Sequence, residues 1–256
     1  LKVPTLFHFY QPNNKTACLG IGATTRTTMA EENEVILAWG DAQGNGRTTL
    51  AQLEEWINSP KENTEKIADF VYWRLYERYI RPFEILIEHE NSDKEKGNVQ
   101  IDSGQDEEPN EQEETQKCFK FRIGFAIMAN MCPVIEALEA FKLGKERFYS
   151  EKEKKELDNA MSYEDAFIDF FTKEKDTFNV PENFGKEFYE NIRCRILHQG
   201  GTGGRWRIKH IGDNKIIDVD AKIIDARKFL EKMKEIVTTY QKKLKDGKED
   251  INNCVT

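Results

Sequence analysis

Along most of this chain apolar residues recur at spacings of three and four, and near Arg205 the period falls to two. Between Glu65 and Glu88, the positions Ile67, Phe70, Val71, Leu75, Tyr79 and Phe83 trace the buried face of a core helix. Pro82 is expected to kink or restart it, because proline lacks the N–H that the ladder needs. Phe119 to Leu143 is the most apolar segment. Ile123, Ile127, Met131, Val134, Ile135, Leu138 and Phe141 give a wide apolar face and predict a central buried helix, bent at Pro133. Asn130 and Glu136 lie inside it and are expected to satisfy backbone or neighbouring polar groups. Ser162 to Phe171 continues the helical pattern, as does Phe188 to His198.

From Arg205 to His210 the cations Arg205, Arg207 and Lys209 point one way, and Trp206, Ile208 and His210 the other. Gly212 to Asn214 is a turn signal, and Ile216, Ile217 and Val219 predict a second strand. Together these read as a β-hairpin, after which Asp220 caps a last helix running to about Lys245. Ile223, Ala226, Leu230, Met233, Val237, Tyr240 and Leu244 form its buried side, and the tail beyond Gly247 is expected to fray. The fold class is therefore mainly α, with a small β-hairpin inserted before the last helix.

Other segments are less regular. Residues 1–30 are expected to form an irregular arm or short strands, and Glu32 to Trp39 a short helix. With the turn and helix that follow, they make an N-terminal region of residues 1–60 ahead of a helical domain over 61–256. His89 to Lys117 is acidic and nearly free of apolar residues, so it is expected to be a mobile surface loop that buries too little to offset its ordering entropy. Asp41, Gln43, Asn45 and Gly46 fall at the first, third, fifth and sixth positions of a calcium-loop spacing. Gln52, however, stands where a bidentate glutamate is needed, and Asp41 would be the only carboxylate. A glycine-rich turn before a helix capped by Thr48 or Thr49 is the simpler reading.

The net charge is -8, which argues against wholesale nucleic-acid binding, but it is unevenly spread. Gly185 to Thr256 holds 16 Lys and Arg against 11 Asp and Glu, a balance of +5, so the remainder carries -13. Such asymmetry hints at an anionic partner for the basic part. The five cysteines are scattered without a CxxC pair, which disfavours both a zinc site and a disulfide framework. Ile123 to Leu143 is interrupted by Asn130, Pro133, Glu136 and Glu139, so no run is expected to approach the ~20 apolar residues of a membrane-spanning helix. Leu1 to Pro4 lacks the layout of a secretory signal, and a cytoplasmic location is expected.

The chemistry concentrates in Arg193-Cys-Arg-Ile-Leu-His198, followed by Gln199-Gly-Gly-Thr-Gly-Gly204 and the basic strand. Metal-free RNA cleavage needs a base for the ribose 2′-hydroxyl, an acid for the leaving 5′-oxygen and a cation for the phosphorane. Histidine, with an unperturbed pKa of ~6.5, suits the proton transfers. Arginine is permanently charged and grips phosphate with two parallel N–H donors. Five helical steps of ~100° leave Arg193 and His198 about 140° apart on a regular helix, a gap that a long side chain or local unwinding can close. The glycines let backbone N–H groups approach an anion, and Trp206 can either stack a base or pack beside Ile208.

Arg193 to His198 matches the R-x4-6-H signature of HEPN-domain proteins. Phe188 to Gly200 and Gly203-Gly-Arg-Trp-Arg-Ile208 resemble a group of uncharacterised bacterial HEPN-like proteins, with the resemblance covering about residues 60–245. It implies a HEPN-like helical bundle and, in many members, a metal-independent endoribonuclease acting as a homodimer, as in toxins and phage-defence effectors. On that reading Arg193 and His198 are catalytic. Arg195, Arg205, Arg207, Lys209 and Trp206 contact substrate, no cofactor is used, and the partner is RNA, single-stranded or in tRNA loops. An antitoxin or regulatory protein is a further expected partner. The alternative is a non-catalytic HEPN module binding RNA, nucleotide or a protein. Active members often carry a polar residue such as Asn after the Arg, where this chain has Cys194.

Overall fold

The computed structural model describes residues 35–40, 45–97, 111–157, 160–209 and 214–254; for 90–97 and 111–122 it describes the backbone alone. The protein is mainly helical with small sheets. The chain divides into two compact units, the first comprising residues 1–77, 140–147 and 238–256, the second 78–139 and 148–237.

In the first unit, β1 (Ile36–Ala38) pairs antiparallel with β2 (Thr48–Thr49). The described part of the segment expected to be helical over 32–39 is thus a strand. Leu37 and Ala38 are both buried, and the Leu37 carbonyl accepts a 2.7 Å hydrogen bond from Arg74 Nη1, which ties the strand to a helix. α1 (Leu50–Asn58) starts at Thr49, whose hydroxyl accepts from the Gln52 N–H while the Gln52 side chain accepts from the Thr49 N–H. Gln52, the twelfth position of the calcium spacing, is committed to that capping box. Residues 41–44 of the same spacing lie outside the described residues, as does the expected arm over 1–30. α2 (Thr64–Leu75) buries Ile67, Phe70 and Val71. The tail does not fray: Ile251–Cys254 forms a 3₁₀ turn with Ile251 and Cys254 buried, and Tyr240 Oη lies 3.4 Å from Cys254 Sγ.

In the second unit the helical run entered at Thr64 passes through a π turn (Tyr76–Ile80) and resumes as α3 (Arg81–Gly97), with Pro82 in its first turn. There the missing N–H leaves no broken intrahelical bond. α4 (Glu111–Leu143) carries Pro133 in its interior. The expected loop over 89–117 is therefore helical at 89–97 and 111–117, and its middle, 98–110, lies outside the described residues. Glu, Lys and Gln bury little but are good helix formers, so polarity was a poor guide to backbone conformation. Ile123 to Leu143 is long and apolar enough to cross a membrane, contrary to the expectation from its interruptions. Ile127, Met128, Met131, Val134, Ile135 and Leu138 are fully buried against protein, as in a core helix.

After α5 (Glu151–Lys154), α6 (Tyr163–Lys173) begins at Ser162 with a second capping box, here with Asp165. α7 (Lys175–Phe178) leads to α8 (Phe184–Phe188). α6 and α8 cross closely at Gly185, where an added Cβ would fall 2.5 Å from the Phe167 carbonyl oxygen. Phe167, Phe170, Phe171, Phe178, Phe184, Phe188 and Phe229 interlock there in stacked and edge-on pairs. This aromatic core is the platform for the helix end that follows.

The second sheet has three strands in the order β3 (Arg207–Ile208), β5 (Ile223–Ile224), β4 (Ile217–Asp218). A hairpin does precede the last helix, but it joins β4 and β5, while β3 lies parallel to β5. Ile223 and Ile224 are both buried, as suits a central strand, and their spacing to Ala226 and Leu230 imitated a helical face. The hairpin turns where the Asp218 carboxylate accepts the Ala221 N–H at 2.9 Å and Lys222 takes φ +55°. The cap of α10 (Ala226–Lys245) is consequently Asp225, accepting from the Arg227 and Lys228 N–H groups, rather than Asp220.

Candidate functional site

α8 continues without a break into a π turn (Tyr189–Arg193) and then α9 (Cys194–Gln199), which ends at Gly200 in the left-handed conformation, φ +66°. Phe188 and Ile192 anchor the inner face of this run in the aromatic core. Arg193, at the last residue of the π turn, points inward too, with its side chain 14% exposed. Its Nε donates a 2.9 Å hydrogen bond to Glu136 Oε1 of α4. The guanidinium carbon lies 4.8 Å from the centre of the Tyr163 ring and 5.6 Å from that of Tyr189. Among the described residues, Nη1 and Nη2 make no hydrogen bond.

The electrostatics follow from burial. Glu136, 15% exposed, is held above the usual carboxylate range because desolvation outweighs the stabilisation that Arg193 provides. Burial also lifts the Cys132 thiol, with Glu136 adding to the effect, and pushes the Tyr189 hydroxyl up to about 12, with its hydrogen bond to Cys194 adding to that. The Arg193 guanidinium stays charged, its pKa raised because Glu136 and the neighbouring Tyr189 and Cys194 favour the cation more than burial opposes it.

His198 is exposed on the last turn of α9, and it makes no hydrogen bond to Arg193. Arg195 is exposed as well, bonded through Nη1 to Gln199 Oε1 at 2.6 Å. The glycine-rich loop returns to the helix, since the Gly203 N–H donates to the Asn191 carbonyl at 2.7 Å. A Cβ at Gly203 would meet Asn191 Oδ1 at 2.8 Å and Arg195 Cγ at 3.0 Å, so Arg195 borders the loop directly. Beyond it Arg205, Arg207 and Lys209 are exposed while Trp206 and Ile208 are buried, the alternation the sequence predicts. Arg207 also donates from Nη2 to the Ala221 carbonyl at 3.2 Å. Trp206 is 3% exposed, edge-on to Phe184, with its Nε1–H given to Glu187 Oε1 at 3.0 Å. Glu187 accepts from Lys222 Nζ at the same oxygen, 3.2 Å away. Trp206 is thus a packing residue that locks β3 onto α8, and base stacking is withdrawn for it.

The structure therefore gathers His198 and Arg195 on one exposed helix end beside the basic strand, while Arg193 sits behind them in an acidic and aromatic pocket. Glu136, Tyr163, Tyr189 and Asn191 are the site residues that the sequence did not single out as such. Glu136 did stand out as a polar residue in an apolar helix, but nothing in the sequence names a partner 57 positions away. Among the described residues no three His, Cys, Asp or Glu side chains converge to hold a metal ion.

No family model, curated protein or solved structure matches this chain.

Proposed function

We propose that this chain is a HEPN-type endoribonuclease that works without a metal, with the α8–α9 run and the basic strand as its RNA-handling face. The observation that carries the reading is the state of the Arg193 guanidinium: it is fixed through Nε, with both terminal nitrogens left for an external acceptor. A phosphodiester offers two non-bridging oxygens at the spacing of that fork. His198 transfers protons at the helix end, and Arg195, Arg205, Arg207 and Lys209 track the backbone.

In the reaction the ribose 2′-oxygen bonds to phosphorus as it gives up its proton. The bond from phosphorus to the 5′-oxygen breaks, and that oxygen takes a proton. The products are a 2′,3′-cyclic phosphate and a 5′-hydroxyl. One imidazole per chain supplies one proton relay, so a homodimer placing two α9 ends together completes the acid–base pair. Purified protein is expected to cleave mixed RNA in EDTA, leaving cyclic-phosphate ends. His198→Ala is expected to lower the rate by about 10²–10⁴, the usual worth of general acid–base catalysis, without change in thermal stability. Retention of RNA with no new ends would refute cleavage.

The Arg193–Glu136 ion pair favours a second reading, since it already neutralises the cation: a non-catalytic module that binds RNA, nucleotide or a protein such as an antitoxin through the exposed rim. The same EDTA experiment separates the two.

A further inference from the structure

Arg193 is confined on three sides. The edge carrying Nε faces Glu136, and the rings of Tyr163 and Tyr189 lie within cation–π reach. The two rings come from separate elements, and each is fixed independently. Tyr163 is the first residue of α6. Its N–H donates to the Tyr149 carbonyl at 3.1 Å, the Tyr149 N–H donates to the Met161 carbonyl at 3.0 Å, and Phe148 packs edge-on to its ring. Tyr189 opens the π turn and leans on Phe167, with ring centres 5.7 Å apart. A long arginine side chain ordinarily samples many rotamers, and its planar fork grips an oxyanion well only when it is already oriented. An aromatic surface orients it without supplying a competing acceptor. A second carboxylate in either place would occupy the nitrogens instead.

We propose that Tyr163 and Tyr189 form an aromatic clamp that positions Arg193, with Glu136 fixing the Nε edge, so that only the Nη1–Nη2 edge is presented to a phosphodiester. Both tyrosines are positioning residues and act through the guanidinium. The clamp rests on the reading of Arg193 as the phosphate-holding group, but its existence as a structure does not depend on catalysis. The hydroxyls are not needed for it, because phenylalanine offers the same face to a cation. Leucine fills similar space without one.

The test is therefore Tyr163→Phe against Tyr163→Leu, and Tyr189→Phe against Tyr189→Leu, with two readouts on each. The first is the NMR signal of the Arg193 Nε–H in protein labelled with ¹⁵N-arginine, assigned by its loss in Arg193→Lys. Rings stacked on the guanidinium shift this signal upfield, and the shift should persist in the Phe variants and collapse in the Leu variants. The second is cleavage of a short RNA in EDTA. Here kcat is expected to fall about tenfold or more in each Leu variant with KM little changed, and to stay within about threefold in each Phe variant. Folded Leu variants that keep both the shift and kcat overturn the clamp. Phe variants as damaged as the Leu variants also overturn it, by assigning the effect to the hydroxyls. If the unaltered protein cleaves no RNA, the nuclease reading fails, and the NMR comparison alone still decides the clamp.

Discussion

Removing Arg193 is expected to damage the fold by an amount that depends on pH, and removing Glu136 is not. The pair is 2.9 Å apart with both side chains mostly buried. At an effective dielectric of ~20, charges about 4 Å apart attract by about 4 kcal/mol, while desolvation takes back several kcal/mol per ion. For Glu136 the balance is visible in its direction of shift: burial raises its pKa more than Arg193 lowers it. A carboxyl raised on folding binds protons more readily in the native state than in the unfolded one. Its contribution to stability is therefore fullest at low pH and is lost as pH rises through the raised value. Arg193→Ala strips away the compensating cation and leaves an ionised carboxylate in a desolvated place. The expected penalty is about 3 kcal/mol near neutrality, at the lower end of the range for broken buried pairs because both groups keep some solvent contact. Glu136→Gln keeps an acceptor for Nε–H and removes the desolvated charge, so it should change stability by less than about 1 kcal/mol. Urea unfolding of the unaltered protein, both single variants and the double variant, at about pH 8 and again at about pH 5, measures this. The Arg193→Ala penalty should shrink at the lower pH as Glu136 protonates, and in the Glu136→Gln background at either pH. A penalty that is the same at both pH values and in both backgrounds would show that the pair is not coupled as described. The consequence for assigning function is direct: lost activity in Arg193→Ala alone mixes chemistry with stability, and Arg193→Ala/Glu136→Gln is the cleaner variant for an activity assay.

Gly185→Ala is expected to destabilise by about 2 kcal/mol or more in thermal unfolding, because the new methyl meets backbone of α6 rather than a movable side chain. In the glycine-rich loop, Gly201→Ala should be nearly silent in both folding and RNA retention, since nothing lies within 4 Å of it. Gly203→Ala should weaken RNA retention by pushing against Asn191 and Arg195, and equal retention by the two variants would show that the loop's closure on the helix is unimportant. Ser162→Ala should lose about 1 kcal/mol through its capping box, read as a lowered urea midpoint.

Elements announced by local chemistry were legible in the sequence. Thr49 with Gln52, and Ser162 with Asp165, are capping boxes whose partners lie three residues apart, and α10 ends at Lys245 where its apolar face runs out. The alternation over Arg205 to Lys209 correctly separates exposed cations from buried Trp206 and Ile208. Asn130 is satisfied by its own helix, through the Ala126 carbonyl. What stayed hidden depends on distant neighbours. Ile223 and Ile224 are strand because β3 and β4 flank them, while their spacing to later apolar residues fits a helix equally well. Burial of Ile251 and Cys254 in the tail reflects contacts such as that from Tyr240. The site divides the same way: Arg193 and His198 sit in one short motif, but the inward turn of one and the outward turn of the other follow from Glu136 on α4 and Tyr163 on α6.

The wide turn over Tyr189–Arg193 has its own consequence for how this tip could diversify. A π turn closes its hydrogen bonds over one residue more than an α turn does. Losing a single residue there would restore the tighter winding and swing everything beyond it through roughly 100° relative to Phe188. The phenylalanine-rich base and the cation-bearing tip are thus joined by a swivel whose setting is a matter of one codon. A chain with the same interior could aim its guanidinium and imidazole elsewhere without repacking a single ring beneath them.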